Sequence, residues 1–266
     1  MGLGEVTGRT RIWGILADPI GHVKTPQMIN AVAAERGVDG LMIPFHVAPG
    51  DLPALVKGLK GMKSLGGFVV TVPHKAAIVD LLDEVSPSAR LIGAANCVRR
   101  EADGRLVGEM LDGVGFVTGL KQAGIDPQGL SAYLAGAGGA ANAIAFALIE
   151  AGVTRLTIAN RTREKVDDLI RRLHTAYPEA DLRVGDRDPS GHDLVVNGTS
   201  LGLKAGDALP FEAGRLVPGQ IVAEVIMDPE ETAIMAAARA VGCRVHPGKP
   251  MLASMRYLLA DFMGVV

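Results

Sequence analysis

The sequence predicts an α/β protein built from two alternating strand and helix series, and three observations carry that expectation. The 34 glycines cluster at the joints between short apolar runs, as alternating strands and helices require. Residues 67–72 (GFVVTV) form a continuous run of the kind buried on both faces of a parallel sheet. The strand, turn and helix pattern starts near residue 11 and again near residue 112, and 266 residues favour two domains or one large one at roughly 100–200 residues per domain. At 48% hydrophobic and 21% charged, the composition is that of a folded chain and far from the signature of disorder.

Residues 11–16 (RIWGIL) read as a strand ended by the turn Asp18-Pro19-Ile20-Gly21, and Thr25-Pro26 offers a helix N-cap with Pro at the first helical position. Met28, Ile29 and Val32 then recur at helical spacing until Gly37. Residues 41–47 (LMIPFHV) are strand-like, with Pro44 confining them towards an edge. Asp51 caps a helix carrying Leu52, Leu55, Val56 and Leu59. The 67–72 strand follows, and a further helix is expected over 76–82. Residues 95–99 and 106–110 form a hairpin turned by Asp103-Gly104.

From Asp112 a helix leads into strand 132–135, helix 140–151, strand 156–159, helix 164–174 and strands 193–197 and 221–225. The stretch 250–262 is an apolar helix that returns to the first domain. The expected organisation is therefore residues 1–111 plus 247–266 as one α/β domain and 112–246 as the other.

A net charge of -2 leaves no basic excess to neutralise nucleic acid or an anionic membrane, so neither partner is expected. Residues 131–149 are uncharged, but Gly136, Gly138 and Gly139 interrupt them where a membrane span wants continuous Leu, Ile and Val. The N-terminal MGLGEVTGRTR has neither a secretory pattern nor a myristoylation signal. Cys97 and Cys243 stand far apart with no metal-type spacing, and His46, His174 and His192 share no ligand pattern, so no metal is implied. A reducing, cytoplasmic compartment fits this cysteine usage.

Gly136-Ala137-Gly138-Gly139-Ala140-Ala141 fits G-x-G-x-x-A, follows a strand and opens an Ala-rich helix. The first glycine permits a tight turn, the second lets backbone approach a pyrophosphate, and the small last residue lets helix and strand pack closely. The helix N-terminus adds free N–H groups and partial positive charge. A dinucleotide is the expected ligand, and the second domain is read as Rossmann-type. The second strand of such a site ends in a carboxylate when NAD is preferred. Here it ends in Ala159-Asn160-Arg161-Thr162-Arg163, so Arg161 with Arg163 or Lys165 is expected to hold the 2′-phosphate of NADP, with NAD as the alternative cofactor.

Lys75 stands just past the 67–72 strand in Thr71-Val72-Pro73-His74-Lys75, where ligands of open α/β sheets gather, and Asp112 opens the second series. A lysine ammonium with a carboxylate can donate a proton to a carbonyl oxygen as hydride arrives and take it back in reverse. With these residues in view, the chain resembles the shikimate dehydrogenase family along nearly its whole length. Gly21-His22-Val23-Lys24-Thr25-Pro26 looks like the family's H-S-K-S-P segment, residues 70–75 like V-T-V-P-x-K, Ala94-Ala95-Asn96 like G-A-x-N-T, and Leu111-Asp112-Gly113 like N-T-D-G. The glycine turn matches G-A-G-G-A, Asn160-Arg161-Thr162 the N-R-T associated with NADP, and residues 197–202 the N-x-T-S-x-G segment.

The resemblance implies an N-terminal substrate-binding α/β domain beside the Rossmann-type one, and reversible reduction of 3-dehydroshikimate or a related ring keto acid, the small-molecule partner. It implies Lys75 and Asp112 as the catalytic pair and Thr25, Thr71 and Asn96 as substrate contacts, with Met255 at a further substrate position. It also puts Thr199 and Gly248 on the nicotinamide side. A monomer or homodimer is expected. The departures are concentrated where the family presents polar groups to substrate: Val23 for a serine, Val69 for an asparagine, Met227 for a tyrosine and Met255 for a glutamine. Met110 and Leu111 replace polar residues beside the aspartate, and His74 an aromatic. Apolar replacements leave substrate hydroxyls unpaired, so quinate, an amino-substituted shikimate or a less hydroxylated ring acid stay open as substrates. So does a nucleotide-binding sensor without turnover, against which the retained Lys75 and Asp112 speak.

Overall fold

Two six-stranded sheets, one in each half of the chain, organise the molecule in the computed structural model, which describes residues 6–21 and 23–266. Residues 1–5, at the start of the segment read for targeting signals, and His22 of the first family-like motif lie outside the described residues. The chain divides into one unit that reaches to Leu111 and is completed by Met255–Val266, and a second, Asp112–Ser254.

The first unit carries β1 (Arg11–Ala17), α1 (Thr25–Glu35), β2 (Gly40–His46), α2 (Leu52–Gly61), β3 (Leu65–Val70), β4 (Glu84–Val85), α3 (Pro87–Ile92), β5 (Cys97–Arg100) and β6 (Leu106–Glu109). Its strand order is β2-β1-β3-β5-β6-β4. β1 pairs in parallel with β2 and β3, while the 103–104 hairpin returns β5 and β6 antiparallel. β2 is an edge strand, which tolerates the missing N–H of Pro44 opposite Ile15. Every residue of β3 is buried, as its unbroken apolar run requires.

The indole of Trp13 fills the space that side chains at Gly40 and Gly66 would occupy, since Cβ atoms there would fall 2.1 and 2.4 Å from the ring. Its Nε1 donates to Met263 O at 3.0 Å, fastening the C-terminal segment to the sheet. Trp13→Phe is expected to leave that carbonyl unpaired at a cost of about 1–3 kcal/mol. At about 2–4 °C per kcal/mol, thermal denaturation should show a clear drop in Tm, and an unchanged Tm would count against this tie.

Two sequence expectations in this unit are corrected. Residues 76–82 form turns with one 3₁₀ turn at Val79–Leu81 and no α-helix. The carbonyl of Lys75, which a helix would pair with the N–H of Val79, instead accepts Ala95 N at 2.9 Å, and Val79 N turns to Ala76 O. Thr25 is not the N-cap of α1 but its first residue; Lys24 is the cap position, and no side chain makes a capping bond there.

The second unit carries α4 (Asp112–Gln122), β7 (Ser131–Ala135), α5 (Gly139–Glu150), β8 (Arg155–Ala159), α6 (Arg163–Ala176), β9 (Leu182–Val184), β10 (Leu194–Asn197), β11 (Ile221–Glu224), α7 (Ala233–Val241) and β12 (Arg244–His246). Its sheet is wholly parallel in the order β12-β11-β10-β7-β8-β9, so the chain winds one way from β7 to β9 and the other way from β10 to β12. α4 packs on α5 at a close approach: a Cβ at Gly113 would lie 2.2 Å from Ala143 O. The long helix α8 (Lys249–Phe262) begins in this unit, where Gly119 of α4 meets Pro250 and Met251 and Ser254 Oγ donates to Gln122 Oε1 at 3.0 Å. The passage between units therefore falls within α8, eight residues beyond the expected start at 247.

Candidate active site

In the first unit the candidate residues gather at the carboxyl edge of the sheet. Thr71 N donates to Leu16 O (3.0 Å) and Asp18 N to Val72 O (3.1 Å), which ties the segment after β3 to the end of β1. On its other side Val70 N donates to Asn96 O at 2.8 Å, and Lys75 O accepts Ala95 N. Thr71, Lys75 and Asn96 are thereby brought to one edge, the position where open α/β sheets bind ligands. Thr25, buried at the start of α1, lies just beyond the β1 turn.

Asn96 is 1% exposed; its backbone N–H donates to Glu109 O (3.0 Å) and its Oδ1 accepts Leu111 N at 2.8 Å. The side chain expected to meet substrate thus also fixes the last residue of this segment. His74 is equally buried, and its Nε2 bonds the carbonyl of Val47 at 2.9 Å, so this side chain pins the loop after β2. At the same edge His46 Nε2 pairs with Asp18 Oδ1 at 2.8 Å, a half-exposed contact that sequence reading passed over. Val69 and Met255 are buried and Val23 half-buried. Lys75 belongs to the first unit, while buried Asp112 opens α4 of the second.

In the second unit the glycine turn sits between β7 and α5. Gly136 adopts φ +119, a region suited to glycine, and a Cβ there would lie 2.9 Å from Gly198 O. Its N–H donates to Ala159 O at 2.7 Å, stitching the turn to the end of β8. Ala137 is buried behind it. Gly138 is the N-cap of α5, exposed, and nothing lies within 4 Å of where its Cβ would be. Gly139 and Ala140 open the helix, and no side chain caps its first N–H groups. Ala141 keeps the helix close, its Cβ 3.3 Å from the position a side chain at Gly136 would take. The turn has the open space and the unspent donors that an anionic dinucleotide needs.

Beyond β8, Asn160 Nδ2 donates to Thr162 O at 3.0 Å, and Arg161, Thr162 and Lys165 are exposed. Arg163 pairs with Asp167 at 2.9 Å, whereas among the described residues neither Arg161 nor Lys165 forms an ion pair, which fits these two for a phosphate. On the opposite flank, Thr199 donates from N (3.0 Å) and Oγ1 (2.7 Å) to Asn197 Oδ1. Gly248 is required by close backbone approach: a Cβ there would lie 2.3 Å from Ile226 O. Met227, half-buried, follows in the same loop. The buried carboxylate Glu224 at the end of β11 was not singled out from sequence; the signal was a charge closing the apolar run IVAE.

Among the described residues no cluster of three or more His, Cys, Asp or Glu could hold a metal, and no helix is long and apolar enough to cross a membrane. Cys97 and Cys243 are buried, one in each unit.

A parallel sheet that reverses its winding at β7, with a glycine turn leading into α5, defines an α/β protein with a Rossmann-type dinucleotide-binding unit. Family models place it further: the shikimate dehydrogenase substrate-binding domain matches residues 15–98, and the shikimate / quinate 5-dehydrogenase model matches residues 121–199. A shikimate dehydrogenase (NADP(+)) of Rubrobacter xylanophilus is 40% identical over 262 residues, covering 95% of this chain and 90% of its own. The shikimate 5-dehydrogenase of Thermus thermophilus, solved with NADP(H) and shikimate, superposes with a TM-score of 0.87 at 30% identity, covering 97% of this chain and 94% of its own. A 5-ketofructose reductase of a Gluconobacter species superposes at 0.83 with 35% identity, covering 97% and 94%. The chain belongs to the shikimate dehydrogenase family.

Proposed function

We propose that the chain is an NADP-dependent oxidoreductase that reversibly reduces 3-dehydroshikimate, or a closely related ring keto acid, to the hydroxy acid. The observation that carries the reading is the glycine turn, open in front of Gly138 and flanked by the exposed Arg161 and Lys165, in a chain 40% identical to an NADP-linked shikimate dehydrogenase. The first unit is then the substrate-binding domain and the second the nucleotide-binding domain. The bound cofactor supplies the hydride. Lys75 gives its proton to the carbonyl oxygen as the carbon is reduced and recovers it in the reverse direction, with Asp112 as the carboxylate of the pair. Thr25, Thr71 and Asn96 orient the ring acid, and Thr199 and Gly248 lie towards the nicotinamide. The working form is a monomer or homodimer in the cytoplasm, with no nucleic-acid or membrane partner.

A second reading keeps fold and cofactor and changes the substrate. It is favoured by the apolar side chains of Val23, Val69, Met227 and Met255, and by the likeness to an enzyme named for a keto sugar. The apolar positions favour an aminoshikimate or a less hydroxylated ring acid, with quinate also open, and the likeness adds a keto sugar. Spectrophotometric assay of shikimate, quinate and 5-ketofructose with both nicotinamide cofactors separates the two readings, and no turnover of any ring acid or keto sugar overturns both.

Arg161→Ala is expected to narrow the preference for NADP over NAD, since each lost charge-assisted hydrogen bond costs about 1.5–3 kcal/mol. Calorimetric titration of both cofactors checks this. Equal or NAD-favouring affinity in the unmodified protein would refute the assignment of the 2′-phosphate.

A further inference from the structure

Glu224 closes β11 with a carboxylate that is 1% exposed, and the chemistry proposed above makes no use of it. Its Oε1 accepts the backbone N–H groups of Val225 (2.8 Å) and Ile226 (3.1 Å). Its Oε2 accepts Thr232 Oγ1 at 2.9 Å, from the N-cap position of α7, where that hydroxyl makes no capping bond. Both oxygens accept from Asn197 Nδ2, at 3.1 and 2.9 Å, from the end of the neighbouring strand β10. One side chain therefore holds the segment after β10, the segment after β11 and the start of α7. Burial holds the Glu224 carboxyl above its ordinary range, and these hydrogen bonds offset that only in part. If filling space were its only task, an apolar residue would do so without the desolvation penalty.

What a carboxylate adds is direction. An ionised carboxylate only accepts, so the amide of Asn197 must turn its Nδ2 to Glu224 and its Oδ1 away. That Oδ1 then takes both the N–H and the hydroxyl of Thr199, and Asn197 Nδ2 also reaches Leu201 O at 3.1 Å. With its proton committed to Asn197, Thr199 Oγ1 accepts Leu201 N at 3.0 Å and retains one further acceptor position. The same carboxylate fixes the backbone of Ile226, whose carbonyl leaves room at Gly248 for a hydrogen only.

These segments lie on one flank of the glycine turn. Gly198 abuts Gly136, and β10 and β11 extend from β7 on the side away from β8. If the adenosine end of a dinucleotide lies over β8 with Arg161, its other end crosses to β10 and β11, as ligands do where strand order reverses. We propose that Glu224 is a positioning residue: through Asn197 it sets the Thr199–Leu201 and Val225–Ile226 backbone on which the nicotinamide half of the cofactor docks. The proposal rests on the reading of the second unit as NADP-binding.

Glu224→Gln tests it, because the new amide group faces the donors of Asn197 and favours a flip that turns Thr199 away. Calorimetry on the full chain should show NADP bound about 10-fold more weakly, with adenosine 2′,5′-bisphosphate, which lacks the nicotinamide half, held within about two-fold of the parent. The exchange E224Q/N197D restores one donor facing one acceptor, at the loss of the bond to Leu201 O, and should recover part of the lost NADP affinity relative to E224Q; it also serves if the single variant folds poorly. NADP affinity unchanged in E224Q, or both ligands weakened alike, overturns the proposal. A parent that binds neither ligand overturns the cofactor reading and the proposal with it.

Discussion

Lys75→Ala is expected to lower turnover by about 10²–10⁴-fold, the usual contribution of a general acid or base, while leaving NADP affinity unchanged. The separation of the two effects follows from the architecture. Lys75 belongs to the first unit, whereas the glycine turn, Asn160 and Arg161 belong to the second. The substitution keeps the bond from Ala95 N, which goes to the main-chain carbonyl of residue 75. Steady-state kinetics on whichever substrate proves active, together with titration of NADP, provides the check. Turnover within a few-fold of the parent would show that another group moves the proton.

The glycine turn was legible because close backbone approach admits few residues: Gly136 has a left-handed φ and faces Gly198 O, and Gly138 faces open space. β3 and the hairpin were legible for similar local reasons, an unbroken apolar run and an Asp-Gly turn. By contrast β4, α3, β9, α7 and β12 run from two to nine residues, too short for periodicity to rise above their surroundings. The false helix at 76–82 had helical spacing but lost its first carbonyl to Ala95, a partner twenty residues away that no local pattern reveals. Thr25-Pro26 had the composition of a cap, yet Thr25 lies inside the helix. At the site, Lys75 and Asp112 were singled out by their motifs, since single charges in a sequence look like solvated ones. Glu224 shows the converse: a lone charge at a strand end reads as surface, and only the fold brings Asn197, Thr232 and two backbone N–H groups around it.

Shikimate itself is expected to be a poor substrate compared with a ring acid carrying fewer hydroxyls or a different substituent. The family resemblance puts Val23, Val69, Met227 and Met255 at positions for hydrogen-bonding side chains, and none of the four can donate a hydrogen bond from its side chain to a hydroxyl oxygen. Val69 and Met255 are buried at 5% exposure, so water cannot easily take the place of the missing groups. Each substrate hydroxyl left unpaired in a desolvated setting costs roughly 1–3 kcal/mol, and two such losses would weaken turnover by about 10²-fold or more. The carboxylate of the substrate is still expected to matter, because Lys24 and Thr25 remain in the segment resembling the family's carboxylate-binding loop. Specificity constants for shikimate, quinate and their deoxy analogues decide the point, with the corresponding carboxamide testing the need for negative charge. A kcat/KM for shikimate in the range of efficient enzymes, about 10⁴–10⁸ M⁻¹s⁻¹, would mean that other groups read the hydroxyls and that the four apolar positions do not set substrate choice.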